Sequence, residues 1–359
     1  MNDIYCLIMA GGSGTRFWPR SRTIKPKQYL NLFGEDSLLE STISRFEKFI
    51  ETDNVYIVSG KSQAGVLEEQ AKRLPHKNLI YEPVGRNTLP CIGLAAMIVA
   101  KDNPEGLMVV SPSDHLIQDD ELFSETVLAA TKLAKEKDGI VTIGITPAHP
   151  ATGYGYVQVD HELSSDEQIR QFKVKQFVEK PDYKTASSYL HQGGFYWNSG
   201  LFIFKVSVFI DAVKKFAPIL YKDLQTIQAE IGKVSYESTL ETIYPMVESI
   251  SVDYGIMEHA DNIYLVEGNF QWNDLGSWDS VYNYSTKDEE GNAGIGENIF
   301  VNTNNSYAST DEGIVAIIGL DDVVVVREGN AVMVCKRDQA EDVKVVVERL
   351  KQLNKGNFL

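Results

Sequence analysis

The chain has 359 residues and a formal net charge of −16 at pH 7, with 43% hydrophobic and 23% charged residues. This length predicts one large domain with one or two smaller ones, in a globular protein of ordinary composition. The acidic balance argues against nucleic acid or an anionic membrane as a partner, because both bind broad basic surfaces.

The cellular setting is predicted from what the sequence lacks. No apolar run approaches the roughly 20 residues that span a bilayer, and the N-terminal segment has no basic region typical of a signal peptide. Three cysteines, Cys6, Cys91 and Cys335, are far apart and odd in number, which is typical of reduced thiols in a reducing compartment. We therefore expect a cytoplasmic protein.

Apolar runs and amphipathic segments alternate along most of the chain. The runs IYCLIMA, NVYIVSG and GLMVVSPSDH are typical of buried strands, whereas SLLESTISRFEKFI and LPCIGLAAMIVAKD have helical spacing. This alternation predicts an α/β domain over residues 1–288, with a Rossmann-like, mostly parallel mixed sheet covered by helices on both faces. Ligands of such sheets bind at the carboxyl ends of the strands.

The pattern changes in residues 289–359. Short apolar runs broken by Asn, Gly and Asp turns predict a small β unit. The segment DQAEDVKVVVERLKQLN that follows has helical spacing, and Asp338 with Glu341 resembles a capping box. We expect this second unit to end in a helix.

The segment LIMAGGSGTRFWPRSRTIKPKQ, residues 7–28, contains glycines and five cations, with no acidic residue between Ile4 and Gly34. Glycines let backbone N–H groups approach an anion, and the N-terminus of a following helix would add positive potential. The spacing matches neither a P-loop nor a Rossmann fingerprint, since Phe17 stands where the third glycine would be. The segment predicts a phosphate-binding loop; the alternative is a glycine-rich turn with solvated cations.

The stretch GGSGTRFWPRSRTIKPKQ resembles the signature of the sugar-1-phosphate nucleotidyltransferases. The stretches EPVGRNTLPCIGLAA, SPSDHLI, TGYGYV, FVEKPD, WNSGLFIF, VDYGIMEHA and WNDLGSWD follow in order. Together they resemble the bacterial mannose-1-phosphate guanylyltransferase family. Leu89 and Cys91 replace the alanines usual there, and Leu201 replaces a common Met, which affects substrate identity more than chemistry. The resemblance implies transfer of GMP from GTP to α-D-mannose 1-phosphate, giving GDP-mannose and pyrophosphate.

The resemblance also implies roles for the signature cations and for the EPVGRNT segment. Arg16 and Lys27 would be catalytic and hold phosphate charge, with Lys27 near the reacting centre. Arg20, Arg22 and Lys25 could contribute only to the local field. Thr88 is, in addition, a natural N-cap residue. The implied nucleotide-binding residues are Ala10, Gly11, Gly12, Gly14, Glu82, Arg86, Asn87 and Thr88.

Carboxylates are the implied metal ligands. Asp114 follows the apolar run GLMVV and Asp274 lies in WNDLG; alone, each is typical of a turn, but Mg²⁺ is usually held by one or two carboxylates beside substrate phosphates. The resemblance implies that both hold Mg²⁺, or another divalent metal, between the substrates. Surface charge is the alternative for the remaining motif residues. The implied sugar-phosphate-binding residues are Gly153, Glu179, Lys180, Asn198 and Asp253.

Two further functions stay open from the sequence. The chain could use another sugar 1-phosphate or nucleotide, or it could be a catalytically silent nucleotide-sugar sensor. About 70 residues follow Asp288, which is too few for the isomerase domain of some relatives, so no isomerase activity is expected. Residues 289–359 resemble a left-handed β-helix unit that often pairs subunits. A homodimer is therefore expected, although the unit could simply pack on the main domain.

Overall fold

The computed structural model describes residues 3–12, 14–163 and 169–359. The strands are β1 (Ile4–Met9), β2 (Val55–Gly60), β3 (Leu79–Glu82), β4 (Leu107–Pro112), β5 (Leu116–Gln118), β6 (Ile140–Ile145), β7 (Tyr156–Glu162), β8 (Gln171–Val178), β9 (Phe195–Lys205), β10 (Ile263–Gly268), β11 (Gln271–Asn273), β12 (Ala293–Val301), β13 (Tyr307–Ile318), β14 (Val323–Glu328) and β15 (Ala331–Lys336). The α-helices are α1 (Leu38–Phe46), α2 (Ala64–Gln70), α3 (Thr88–Asp102), α4 (Asp120–Lys137), α5 (Tyr183–Gln192), α6 (Val206–Phe216), α7 (Pro218–Gln228), α8 (Tyr236–Ile243), α9 (Trp278–Tyr284) and α10 (Val343–Gln352).

The large domain is built on a sheet with the strand order β3-β2-β1-β4-β9-β6-β10-β8-β7. The β3-β2-β1-β4 block is parallel, as is the β6–β10 pair. β9 enters antiparallel between β4 and β6, and β7 and β8 also pair antiparallel. The predicted mixed α/β sheet is confirmed, although its antiparallel share is larger than the apolar runs indicated.

The continuous apolar run of β1 follows from burial on both faces of the sheet. Successive side chains of a strand point to opposite faces. Cys6 and Ile8 pack into the core beneath α1 and α4, whereas Leu7 packs into the core beneath α3, α6 and α7. Because both faces are covered by helices, no position of the strand favours a polar residue.

The carboxyl ends of two central strands bring the signature loop and SPSDH together. Met9 of β1 is in register with Pro112 of β4, and the Ser113 N–H donates to the Met9 carbonyl at 3.1 Å. Ala10 and Asp114 therefore emerge at the same edge of the sheet, where ligands of parallel sheets bind.

The C-terminal unit is a coil of short strands. β12, β13 and β14 pair in parallel, and β15 pairs antiparallel with β14. Residues 302–306 alone connect β12 to β13, whereas a crossover in a flat parallel sheet needs a dozen residues or more. The chain must therefore wind as a coil, which confirms the predicted β-helix-like unit.

The predicted capping box at Asp338 is wrong. Residues 337–342 form a 3-10 turn and α10 begins only at Val343, with no side-chain cap. Arg337 donates to Asp279 at 2.8 Å and Ala340 is buried. These two anchors hold the segment on α9 of the large domain, so tertiary contacts override the local signal.

The two units share an apolar core. Phe17 and Trp18 of the signature loop pack with Trp278 of α9 and with Val343 and Val347 of α10. The C-terminal unit therefore packs on the main domain, as one of the two expectations had it. None of the helices in the described part of the chain is both long and apolar enough to cross a membrane.

Candidate active site

The signature loop is shaped by close backbone packing. Gly14 has φ +56°, and a Cβ there would lie 2.5 Å from the backbone nitrogen of Lys27. The buried Gln28 amide donates to the carbonyls of Ala10 at 2.6 Å and Gly12 at 3.3 Å. With its carbonyls held inward and Gly11 exposed, the loop suits the N–H donation expected of a phosphate cradle.

In the described residues 14–18, the helix expected after these glycines does not form. A single 3-10 turn, Thr15–Phe17, follows, and Trp18 has extended angles, φ −58° and ψ 140°. Pro19 comes next, and the residue before a proline is disfavoured in the helical region. Any anion held by this loop therefore depends on single N–H groups and side chains rather than on a helix terminus.

Lys27 lies at the centre of the site. The residue is only 5% exposed, and its Nζ donates to Asp114 Oδ2 at 2.9 Å and to the Asp274 carbonyl at 2.5 Å. Tyr154 in turn donates its hydroxyl to Asp274 Oδ1 at 2.9 Å. One ammonium group thus joins both predicted metal ligands, although they are far apart in the chain.

The electrostatics of this centre favour an ionised carboxylate. Burial pushes the pKa of Asp114 upward, but the Lys27 charge and hydrogen bond outweigh it, so the pKa lies below its ordinary value. Burial lowers the pKa of neighbouring His115, whose Nδ1 accepts from Trp272 Nε1 at 3.1 Å. Near neutral pH the site therefore holds a charged Asp114 beside a neutral imidazole.

Two clefts meet at this centre. The strand-side cleft has a volume of about 210 Å³ and the loop-side cleft about 460 Å³. Both are lined by His115 and Asp274. The strand-side cleft is also lined by Thr88, Gly153, Glu179, Lys180, Asn198 and Asp253. The loop-side cleft is also lined by Gly14, Arg16, Lys27, Asp114, Lys344 and Glu348.

The two carboxylates at the junction are candidate metal ligands. Within residues 3–12, 14–163 and 169–359, no group of three or more His, Cys, Asp or Glu side chains is placed to hold a metal ion. Mg²⁺ does not need such a group, because it usually keeps several waters and binds through one or two carboxylates plus substrate phosphates. The Asp114 side chain keeps 32% exposure, so the Asp114–Asp274 pair fits Mg²⁺ chemistry.

All five predicted sugar-phosphate residues lie on the strand-side cleft. A Cβ on Gly155 would come within 2.5 Å of Glu179 Oε2, so that glycine makes room for the carboxylate. Lys180 has φ +46° and forms an ion pair with Glu179. The two neighbours therefore present opposite charges to the same cleft.

Asn198 and Asp253 form a hydrogen-bonded pair in the same cleft. Asn198 Nδ2 donates to Asp253 Oδ1 at 3.2 Å, and Thr142 donates to Asn198 Oδ1 at 2.9 Å. Burial, together with the charge of Glu179, raises the pKa of Asp253 to about 6. Asp253 begins a short π-helical turn, Asp253–Met257, an element that often occurs at functional sites.

Among the predicted nucleotide residues of the EPVGRNT segment, Glu82 lies behind the signature loop. Glu82 is buried, receives a hydrogen bond from Tyr244, and has a pKa raised by burial to about 7. A Cβ on Gly11 would lie 3.6 Å from Glu82 Oε2. The Nε of Arg86 is buried without a hydrogen-bond partner among the described residues.

Thr88 is not the N-cap of α3. Asn87, with φ +70°, is the cap, and its Oδ1 accepts from the Thr88 N–H at 2.8 Å. The Thr88 hydroxyl instead accepts from the Val252 N–H at 2.9 Å. Thr88 is therefore committed to joining α3 to the segment that carries Asp253.

The remaining signature cations turn away from the clefts. Arg20 Nε lies 3.4 Å from Glu328 Oε2 of β14, and Arg22 donates to the Phe358 carbonyl. Lys25 is exposed. The sequence left Arg20 and Arg22 open, and the structure assigns both to holding the C-terminal unit.

Sequence reasoning missed three site residues. Tyr154 lies within the quoted TGYGYV stretch, but nothing in its spacing indicates that it contacts Asp274. Tyr244 reaches Glu82 from 162 positions away. Lys344 was assigned to a separate unit, and only the packing of α10 on the signature loop brings it to the loop-side cleft.

Comparisons with known proteins agree with this geometry. The family described as "Nucleotidyl transferase" matches residues 5–291, and the "MannoseP isomerase/GMP-like beta-helix domain" family matches residues 296–350. Fold and site thus define a nucleotidyltransferase with a β-helix-like C-terminal unit.

Individual relatives are more specific. Mannose-1-phosphate guanylyltransferases of Klebsiella pneumoniae and Escherichia coli K12 are each 37% identical over 98% of this chain, covering 75% and 74% of their own lengths. A solved structure from Thermus thermophilus, described as a "mannose-1-phosphate geranyltransferase", matches with a TM-score of 0.87 and 30% identity over 97% of this chain and 99% of that one. The chain belongs to the mannose-1-phosphate guanylyltransferase family.

Proposed function

We propose that the protein transfers GMP from GTP to α-D-mannose 1-phosphate, releasing pyrophosphate. The observation that supports this proposal is the junction at Lys27. There a cleft lined by polar groups suited to sugar hydroxyls meets a cleft lined by cations suited to phosphates, next to Asp114 and Asp274. The names of the relatives support the choice of substrates.

In this reaction an oxygen of the sugar phosphate attacks the α-phosphorus of GTP. The attacking group is already anionic, so no general base is required. The difficulty is to bring two polyanions together, which is solved by positioning and charge neutralisation. Lys27 supplies a fixed ammonium group at the junction, and the loop at Gly11, Gly12 and Gly14 supplies N–H donors.

Asp114 and Asp274 would hold the divalent metal at this junction, and Mg²⁺ there would neutralise phosphate charge shared by the two substrates. Lys27 keeps Asp114 ionised, and Tyr154 orients the Asp274 carboxylate. These contacts would hold both carboxylates in place before substrate arrives.

In the strand-side cleft the sugar would meet groups that donate and accept hydrogen bonds. Glu179, Asn198 and Asp253 are suited to sugar hydroxyls, and Lys180 is suited to the sugar's phosphate. On the nucleotide side, Glu82 and Arg86 are proposed to line the nucleotide behind Gly11, with Asn87 and Thr88 fixing the segment.

The test is pyrophosphate release by the full chain with Mg²⁺. Mannose 1-phosphate is combined with GTP, ATP, UTP, CTP or dTTP, and glucose 1-phosphate is tested in parallel. We expect release with GTP and mannose 1-phosphate only. Release with another pair would keep the chemistry and overturn the substrate assignment, whereas silence of a folded protein with every pair would favour a nucleotide-sugar sensor.

We also propose a homodimer formed through the C-terminal unit. Ile299, Val301, Ile314 and Ile318 are exposed on one face of β12 and β13, with Val301 and Ile318 in register. A contiguous apolar face of this kind is typical of a protein interface. Light scattering should give twice the monomer mass of 40.1 kDa, and Ile318→Lys should shift the mass to that of one chain.

A further inference from the structure

The C-terminal helix α10 contributes charged side chains to the loop-side cleft. Val343 and Val347 are buried against the signature loop. Lys344 and Glu348, the next residue after each valine, line the cleft together with Arg16 and Lys27. Because residues four apart stack on one helix face, the buried valines fix where Lys344 and Glu348 project.

The cations that line this cleft differ in whether they have an ionic partner within the protein. Lys27 is occupied by Asp114 and the Asp274 carbonyl. Arg16 and Lys344 are both exposed, and neither makes an ion pair within residues 3–12, 14–163 and 169–359. Two cations without internal partners, at the same cleft, are suited to an anion from solution.

The geometry of the proposed reaction indicates which anion would bind there. In-line displacement places the attacking and leaving oxygens on opposite sides of the phosphorus. The strand-side cleft carries the proposed sugar-binding groups, and it shares only His115 and Asp274 with the described lining of the loop-side cleft, so the two clefts extend from a common junction to different sides. The leaving pyrophosphate must therefore occupy the loop-side cleft.

We propose that Lys344 binds the β- and γ-phosphates of the nucleotide and the pyrophosphate product, opposite Arg16. This assignment rests on the proposed function for the identity of the anion. It makes the C-terminal unit part of the active site, because a large domain without α10 would lack one wall of the pyrophosphate-binding cleft. Glu348, one turn beyond Lys344, limits the charge there and favours release of the product.

The experiment measures binding and turnover separately. Isothermal titration calorimetry with magnesium pyrophosphate is run on the wild type, Lys344→Ala, Lys344→Arg and Arg349→Ala, each as the full chain. Arg349 is the control because it is an exposed cation on the same helix that does not line the loop-side cleft. Thermal unfolding of each variant identifies any loss of fold.

We expect Lys344→Ala to bind pyrophosphate roughly 10- to 100-fold more weakly, as loss of a charge-assisted hydrogen bond does. Lys344→Arg should stay within a few-fold of the wild type, and Arg349→Ala should be unchanged. In the reverse reaction, Lys344→Ala should raise the KM for pyrophosphate and leave the KM for GDP-mannose unchanged.

The assignment is overturned if Lys344→Ala binds pyrophosphate like Arg349→Ala, or if wild-type protein binds none. Equal increases in the KM of both reverse substrates would also overturn it, since they would indicate a general structural role. Failure of the proposed function gives a different result. Wild-type protein would then bind pyrophosphate through Lys344 without forming it from GTP and mannose 1-phosphate.

Discussion

The two halves of the signature segment contain similar residues but contact different parts of the protein. Residues 14–17 and Lys27 line the loop-side cleft, where Lys27 donates to Asp114 and to the Asp274 carbonyl. Residues 18–22 face the C-terminal unit, where Arg20 pairs with Glu328 and Arg22 binds the Phe358 carbonyl. The role of a cation in this segment therefore depends on which part of the protein it contacts. The sequence pattern alone does not indicate that role.

The difference between the halves lies in burial and partners. Lys27 is buried against carboxylate and carbonyl oxygens of the large domain, so its charge is fixed at the junction of the two clefts. Arg20 and Arg22 are committed to oxygens of the C-terminal unit, so they hold two units together. Substitutions in the first half should therefore affect turnover, and those in the second half should affect stability.

The largest expected effect is on turnover at Lys27. Lys27→Ala should lower kcat by roughly 100-fold or more, as loss of a charge-stabilising donor typically does. Lys25→Ala, in the same loop but exposed, is the matched control and should keep kcat within a few-fold. A Lys27→Ala enzyme as active as Lys25→Ala would remove Lys27 from the reacting centre.

The next largest effect is on the pH dependence of folding stability, through Glu82, which lies behind the signature loop. Burial raises the pKa of Glu82 from 4.5 to about 7, so between these values the folded state holds a proton that the unfolded state has lost. The contribution of Glu82 to the free energy of unfolding therefore falls as pH rises from about 4.5 to 7, by on the order of 3 kcal/mol.

Glu82→Gln removes this titration. The unfolding free energy of the variant relative to wild type should increase across that pH range, as measured by denaturant unfolding at pH 4.5, 6 and 7.5. Parallel curves for the two proteins would show that Glu82 does not titrate in this window.

A smaller effect is expected on the metal requirement. Asp114→Asn removes one of two carboxylates at the junction, and it should raise the Mg²⁺ concentration for half-maximal activity by roughly tenfold. Asp261→Asn is the control, because Asp261 is exposed and is not among the residues that line either cleft. An unchanged Mg²⁺ dependence in Asp114→Asn would contradict the ligand role.

The smallest expected effect comes from a direct comparison of substitutions in the two halves of the signature segment. Arg20→Ala removes the ion pair with Glu328 and should lower the unfolding free energy by about 1 kcal/mol, with kcat changed only a few-fold. Arg16→Ala, on the cleft side, should do the opposite and lower activity without changing thermal stability. If both variants lost activity and stability to the same extent, the division of the segment would be wrong.

Much of the fold could be predicted from periodicity. The unbroken run of β1 indicated burial on both faces, and Cys6 and Leu7 indeed lie in opposite cores. The antiparallel entry of β9 could not be predicted, because a strand covered on both faces looks the same in either direction. Local cap signals failed at Thr88 and Asp338, where long-range contacts with Val252 and Asp279 dominate.

The candidate site was predictable where motifs end strands. Asp114 was placed at the edge of the sheet because GLMVV precedes it, and Asp274 was added by resemblance alone. Their meeting at one ammonium group follows from tertiary packing over 87 and 247 positions of sequence. Spacing within a single sequence contains no information on such contacts, which is why Tyr154 and Lys344 were missed.

The hydrogen bond from Trp18 Nε1 to the Phe358 carbonyl, 2.8 Å long, joins positions 340 residues apart. On the ribosome, Trp18 is made early and its partner comes much later. At about 5–20 residues per second, roughly 20 to 70 seconds separate the two. For most of that interval the apolar side of the signature segment lacks the part of its cover that Val343 and Val347 of α10 provide. A chain stalled at that stage would therefore expose apolar surface to chaperones, and it would lack Lys344 at the loop-side cleft.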